Sequence, residues 1–354
     1  MNLTTLGWAV VHSLWQCTFL AGVTALILSA LPDRRARARH MVAYASLIAM
    51  VVWPVLTALA AADPMGEGVR QPIMRAVDGA VGIPAVLAAR AFIVPAAAGV
   101  WLVGLMLYLI RVGREWRRAQ QLQRLDLDDA GEPIQSVVSE LRSHLALRSS
   151  VDVHRSSRAS VPMVLGWLRP IILLPTGTAS SLEPRQLRAV LAHELAHVRR
   201  RDYLANLIQM AAEAMLFHHP AAHWVSRRIR TEREYCCDDV AVSVGTDPAD
   251  YARALAALDD ARDDCRMAVA AASGTLLDRI QRIVGHPRPV LTPIRGVAAL
   301  LAASLIAAVV LTVTSVVPPG LPLDVKLRSK SPGPNVEGPP PDAVSYPRTL
   351  RRLP

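Results

Sequence analysis

Charge is missing from four long stretches of this chain. No Asp, Glu, Lys or Arg occurs from Met1 to Pro32, Met41 to Ala62, Ala91 to Ile110, or Gly296 to Leu323. Each is long enough to cross a hydrocarbon core, which takes about 20 helical residues. With 52% hydrophobic residues and a mean hydropathy of +0.29, the chain stands apart from ordinary soluble domains of 354 residues. Basic residues are missing ahead of the first stretch, whose apolar run is also too long for a cleaved secretory signal. Cysteine is scarce: Cys17 lies in a span, and Cys236, Cys237 and Cys265 lie further on, which fits reduced thiols rather than a disulfide framework. Zinc-finger spacing and an aromatic-interleaved basic stripe are both absent, so no direct nucleic-acid contact is expected despite the net charge of +10. That charge lies largely beside the apolar stretches, where arginine meets anionic headgroups.

The basic residues that are present set an orientation. They cluster in "PDRRARARH" (Pro32 to His40) and "RVGREWRR" (Arg111 to Arg118), whereas the Asp63–Arg90 loop balances Arg70, Arg75 and Arg90 against Asp63, Glu67 and Asp78. The positive-inside rule then places the N-terminus and the Asp63–Arg90 loop outside, with Arg111 to Arg295 in the cytoplasm. Lys326, Arg328 and Lys330 run against the rule, but the three preceding spans agree with it. The expected organisation is three transmembrane helices with short loops over residues 1–110, a cytoplasmic domain over 111–295, a fourth transmembrane helix over 296–317, and a tail over 318–354. That tail holds ten prolines and is expected to be disordered and extracytoplasmic. The fold class is an α-helical polytopic membrane protein of four spans, with a mainly α, α+β domain inserted between spans three and four.

Within 111–295, Arg111 to Leu125 reads as a basic helix continuing the third span and Asp126 to Pro133 as a loop. Ile134 to Leu147 reads as a helix with Val137, Val138, Leu141 and Leu145 on one face. "VDVHR" (Val151 to Arg155), "VPMVLGWL" (Val161 to Leu168) and "PIILLP" (Pro170 to Pro175) read as two or three short strands. Pro184 suits the first turn of a helix capped by Ser180 or Ser181 and running to about Arg199. Further helices are expected over Tyr203 to Phe217 and Pro220 to Val244, the last stopped by Gly245.

The first of these helices carries "AVLAHELAHVRRRD" (Ala189 to Asp202). An HExxH spacing puts two imidazoles on one helix face, just over a turn apart, where both can reach one zinc ion. The intervening glutamate stands beside the metal, placed to take a proton from water. His193, Glu194 and His197 fill those places. Leu187, Val190, Leu191, Leu195 and Val198 make the helix otherwise apolar, so the histidines are buried, and two buried together without a partner would be costly. A third ligand is required. The metzincin arrangement fails, because Arg200 replaces its glycine and Tyr203 its third histidine. "RTEREYCCDD" (Arg230 to Asp239) offers Glu232 and Glu234 instead. Glu234 has Asp238 four residues on, so one carboxylate can bind metal while the other accepts a ligand histidine's N–H. Glu232 lies well round the helix and faces arginine, which favours Glu234.

HELAHVRRRD, "FHHPAAHW" (Phe217 to Trp224), "EYCCDD" (Glu234 to Asp239) and "SVPMVLGWLRPIILLP" (Ser160 to Pro175) together resemble the BlaR/MecR-type membrane zinc metallopeptidases, the antirepressor family, over roughly the first 320 residues. The resemblance implies a gluzincin-type domain held between spans, with His193, His197 and Glu234 as zinc ligands and Glu194 as general base. It also implies that a cytoplasmic transcriptional repressor is cut when an extracellular sensor binds a β-lactam. The family's penicillin-binding sensor needs an S-x-x-K motif. The only lysines, Lys326 and Lys330, follow Leu323 and Leu327 at that spacing, so no β-lactam-binding domain is expected.

Cleavage would then run by hydroxide attack on a peptide carbonyl, with Glu194 passing the proton to the leaving amine. An extended substrate would pair with a strand edge at Val161–Leu165 or Ile171–Leu174, with Val161, Met163, Leu165, Ile171 and Leu173 as candidate contacts. His218 or His219 is a candidate oxyanion donor, His219 being preferred, although a histidine beside Pro220 is also a common structural cap. Cys236 and Cys237 read as packing residues. The leading function is a signal-transducing zinc (Zn2+) endopeptidase of the bacterial cytoplasmic (inner) membrane, multi-pass, with its catalytic domain on the cytoplasmic side. Expected partners are the lipid bilayer, a BlaI/MecI-like repressor and, optionally, a second copy of the chain. The alternatives are a general quality-control protease of membrane proteins and a non-proteolytic signalling scaffold. The complete set His193, Glu194, His197, Glu234 and Asp238 argues against the scaffold.

Overall fold

The computed structural model describes residues 3–62, 84–124, 127–157, 159, 161–166, 170–177, 181–260, 269–285 and 294–316. Most of the Asp63–Arg90 loop, Ser180, Cys265 and the proline-rich tail lie outside the described residues. Long helices come first: α1 (Leu3–Ala30), α2 (Ala36–Ala62) and α3 (Pro84–Arg124). Then follow β1 (Leu127–Asp129), α4 (Glu132–His144), β2 (Asp152–Ser156), β3 (Met163–Leu165) and β4 (Ile171–Pro175). The remaining described elements are helices: α5 (Pro184–Arg200), α6 (Asp202–Met215), α7 (Pro220–Ser243), α8 (Pro248–Asp260), α9 (Val269–Val284) and α10 (Ile294–Val316).

Among the described residues, three helical stretches are long and apolar enough to cross a membrane: Leu3–Ala30, Ala36–Leu59 and Phe92–Arg117. The fourth uncharged stretch forms α10, with an apolar run at Gly296–Ala308. Pro54 and Pro95 sit inside α2 and α3, as neighbouring helices allow in apolar surroundings. A glycine sets one close approach, since a Cβ on Gly7 would lie 2.1 Å from the carbonyl oxygen of Val94, so only glycine lets α1 and α3 touch there. α3 runs on through the basic stretch to Arg124, as its sequence suggested.

The sheet is mixed and four-stranded, in the order β1-β2-β4-β3. β2 and β4 run parallel, and β1 and β3 pair antiparallel at the two edges. β1 is an addition, because Leu127–Asp129 read as loop from sequence. α4 lays Ile134, Val138 and Leu141 against the sheet, and the core continues through Leu145, Val153, Ile172 and Leu174 to Leu191, Leu195, Tyr251 and Leu255. Burying this apolar face is what fixes the sheet against α5. A second apolar cluster joins Cys17, Ala43, Leu47 and Met50 of the long helices to Ala212, Leu216, Ala222, Val225 and Ile229 of α6 and α7.

The start of α5 differs from expectation. Its cap is Glu183, not Ser180 or Ser181, because the Glu183 backbone N–H donates to the Gln186 side chain at 3.0 Å, with Pro184 in the first turn. At the other end a single residue, Arg201, turns α5 into α6 in left-handed conformation (φ 56°, ψ 40°), its N–H donating to the carbonyls of His197 and Val198.

Candidate metal centre

One turn of α5 carries His193 and His197 into a cleft of about 1020 Å³. Their rings stand nearly perpendicular with Nε2 atoms 3.2 Å apart. α7 brings Glu234 to them from the side, Oε2 at 3.5 Å from His193 Nε2 and Oε1 at 4.0 Å from His197 Nε2. These donor atoms all lie within 4.8 Å of one another. Glu194 is buried on the same helix and lines the same cleft.

Each histidine is oriented through its other nitrogen. His193 Nδ1 lies 2.7 Å from the Tyr251 hydroxyl and 3.2 Å from Asp238 Oδ1, and that hydroxyl donates to the same Asp238 oxygen at 2.7 Å. His197 Nδ1 lies 2.8 Å from Asp202 Oδ2, an oxygen that also accepts from the Cys237 thiol at 3.5 Å. Acceptors behind both rings hold the proton on Nδ1 and turn the Nε2 lone pairs inward. Behind Asp238 stands Arg279 of α9, donating to Oδ2 at 3.0 Å and Oδ1 at 2.7 Å, with Nη1 3.4 Å from Glu234.

The surroundings favour positive charge at this point. Burial opposes a charged His193, yet hydrogen bonds to Asp238 and Glu234 outweigh it and lift the imidazole to about 9. Burial likewise opposes a charged Glu234, but His193, Arg279 and His197 bring it down to about 2. Asp238 is held below the usual carboxylate range against its burial, chiefly by Arg279. Two imidazole nitrogens and one carboxylate, backed by further acceptors, form the donor set that suits a catalytic zinc ion with one position left open.

Asp238 therefore lies where its spacing from Glu234 placed it. Glu232 is turned away and fully buried, accepting from Arg39 of α2 at 2.8 Å. Cys236 packs with Ala36 and Tyr235, while Cys237 does more than pack, contacting both Asp202 and His197 Nδ1. Asp202, Tyr251 and Arg279 were not anticipated. Asp202 ends the quoted HELAHVRRRD motif and was the one signal available. Tyr251 and Arg279 sit on helices that carry no motif.

Two expectations are corrected. His219 is not at the cleft: it is buried at the N-terminus of α7, its Nδ1 accepting from the Ala221 N–H and its Nε2 2.9 Å from the carbonyl oxygen of Leu14 in α1. Glu234 lies 15 residues on, about 20 Å along the helix axis. Ile171 and Leu173 belong to β4, which has β2 on one side and β3 on the other and so has no free edge. β3 is the edge strand beside β4, and Val161, Pro162, Met163, Val164 and Gly166 line the cleft. Leu165 pairs with Ile171 and is not among the lining residues.

A family model described as BlaR1 peptidase M56 matches residues 4–283. The regulatory protein BlaR1 of Bacillus licheniformis is 25% identical over 146 residues, covering 39% of this chain and 23% of that protein. The methicillin resistance mecR1 protein of Staphylococcus aureus is 21% identical over 141 residues, covering 39% of this chain and 24% of its own length. The chain thus spans about a quarter of the length of the curated relatives it matches.

Proposed function

The chain belongs to the BlaR1 peptidase M56 family, and from that premise we propose that it is a four-span zinc endopeptidase of gluzincin type, switching transcription by cutting a cytoplasmic BlaI/MecI-like repressor. Family membership makes it a metallopeptidase, and its apolar helices suit a membrane protein. The observation that carries the finer reading is the convergence of His193, His197 and Glu234 beside Glu194, in a cleft walled by an edge strand.

His193, His197 and Glu234 would hold the ion. Zinc bound there would supply Lewis acidity, bringing the pKa of a water down to about 7. Glu194 accepts the proton of the attacking water and returns it to the leaving amine. β3 offers its free main-chain groups to an extended peptide, aligning the scissile bond with Glu194. Asp202 and Asp238 hold the two imidazoles in the tautomer that leaves Nε2 free. Burial of His193 and Glu194 limits water at the reacting bond.

The test is Glu194→Gln in the full chain, with cellular peptides compared by mass spectrometry. Repressor fragments should be present with the wild type and absent with the variant, while metal content is equal in both. Repressor that disappears equally in both strains would overturn the reading, and fragments drawn only from misfolded membrane proteins would assign the activity to quality control.

A further inference from the structure

Helix α6 is inside out. In a helix on a water-facing domain the apolar stripe packs inward and the polar stripe meets solvent. In α6 the polar stripe is the hidden one. Gln209 and Glu213 are only 1% and 8% exposed, and Asp202 is buried as well. These side chains find their partners internally: Asp202 in His197 and Arg200, Gln209 through its Nε2 in Ser226, and Glu213 in Arg230, Ser226 and the Tyr108 hydroxyl. Asn206, on the same face, accepts from Arg233. The opposite stripe, spaced at three and four residues, is apolar and open: Leu204 and Leu207 are 45% exposed, Ile208 42% and Met215 37%, with Ala211 between them.

The neighbours of α6 explain the inversion. Its first residues meet the far end of the third apolar stretch, the Tyr203 and Trp116 rings being 6.3 Å apart. Further along, Tyr108 reaches Glu213, and at the end the Trp101 indole N–H donates to the Met215 carbonyl at 2.9 Å. α6 thus descends antiparallel to α3 from residue 116 to residue 101, about 20 Å at helical rise. Beyond it, a Cβ on Gly104 would lie 2.2 Å from the Phe217 ring, His218 Nε2 lies 3.2 Å from Ser13 Oγ, and His219 reaches Leu14. Ser13 and Leu14 are near the middle of α1. α3 itself presents an open apolar stripe, formed by Val100, Val103, Met106, Leu107 and Ile110.

We propose that α6 and the turn into α7 enter the bilayer as a re-entrant helical hairpin, with Leu204, Leu207, Ile208, Ala211 and Met215 facing lipid acyl chains. Hydrocarbon favours polar groups that are satisfied within the protein, and the buried stripe of α6 meets most of that demand, Gln209 Oε1 being the exception. Water would leave the open stripe without a partner. The chain therefore has an intramembrane segment inside the block that its charge pattern assigns to the cytoplasm. This inference stands apart from the catalytic reading.

The test places a nitroxide at Leu207→Cys or Ala211→Cys in the full chain, with Cys265 replaced by serine. The protein is reconstituted in phosphatidylcholine–phosphatidylglycerol vesicles. Collision with oxygen and with a water-soluble nickel chelate is compared with that of Leu107→Cys on α3 and Ser139→Cys on α4. Both α6 positions should match Leu107→Cys, with oxygen access and loss of nickel access. Nickel access equal to that at Ser139→Cys would overturn the proposal. Exclusion of both reagents would overturn lipid as the occupant and assign the face to a second copy of the chain.

Discussion

Asp202 and Arg279 each act through another residue, and their removal should leave different signatures. Asp202 holds His197 through Nδ1 at 2.8 Å, so Asp202→Asn should weaken metal affinity by about 10–100-fold, measured by competition with a chromophoric chelator. Unchanged affinity would show that Asp202 does not orient the ligand. Arg279 neutralises a buried Asp238 through two hydrogen bonds. Arg279→Met leaves that carboxylate uncompensated and should cost about 3–5 kcal/mol, read by chemical denaturation in detergent. The histidine pair and Glu194 were legible in sequence because one helical turn determines their relation. Glu234 and Asp238 were legible for the same reason, four residues being one face. Tyr251 lies 58 residues from His193, and Arg279 lies 41 residues from Asp238. No local periodicity carries such a pairing, and only the packing of α8 on α5 and of α9 on α7 makes it.

At the scale of elements, the α5–α6 corner and the α2–α7 contact are the most exposed to test. Arg201 adopts a left-handed backbone without being glycine, so Arg201→Gly should stabilise the protein by up to about 1 kcal/mol, seen as a higher Tm. This corner also explains why Asp202 was missed: the turn that returns it to His197 uses a residue type with no special preference for it. The Arg39–Glu232 pair ties α2 to α7 with both side chains largely buried. Arg39→Met alone should cost about 3–5 kcal/mol, whereas the double change R39M/E232M should be close to neutral, since it removes both charges from the interior. Equal losses in the single and double variants would show that the contact works by shape and not by charge. The positions of β2, β3 and β4 were readable from sequence, but β1 and the strand order were not. Whether β3 or β4 forms the edge depends on which strand pairs with β2, a long-range choice that composition does not record. His219 was misjudged for a local reason, as a histidine before proline at a helix start serves the helix and not the cleft.

For the whole molecule, metal binding and folding should be linked. A ligand that binds only the folded state adds about 2.7 kcal/mol at a hundred times its Kd. Zinc at that excess should therefore raise the Tm of the metal-free chain and leave His193→Ala unmoved, and an equal rise in both would place the ion elsewhere. The positions of the apolar helices were plain in the sequence because they rest on missing charge alone. The inversion of α6 was not, because its stripes have ordinary helical spacing and only its neighbours reveal which stripe is hidden.

The edge strand β3 is three residues long. A ladder of that length can grip only a few residues of a partner chain, and its main-chain bonds are indifferent to side-chain identity. Such a grip fixes direction and phase but distinguishes poorly between one sequence and another. If β3 guides substrate as proposed, selectivity must reside in the groups that surround this short rail, and a protein whose matching segment is kept folded would escape cutting however well its sequence suited the groove.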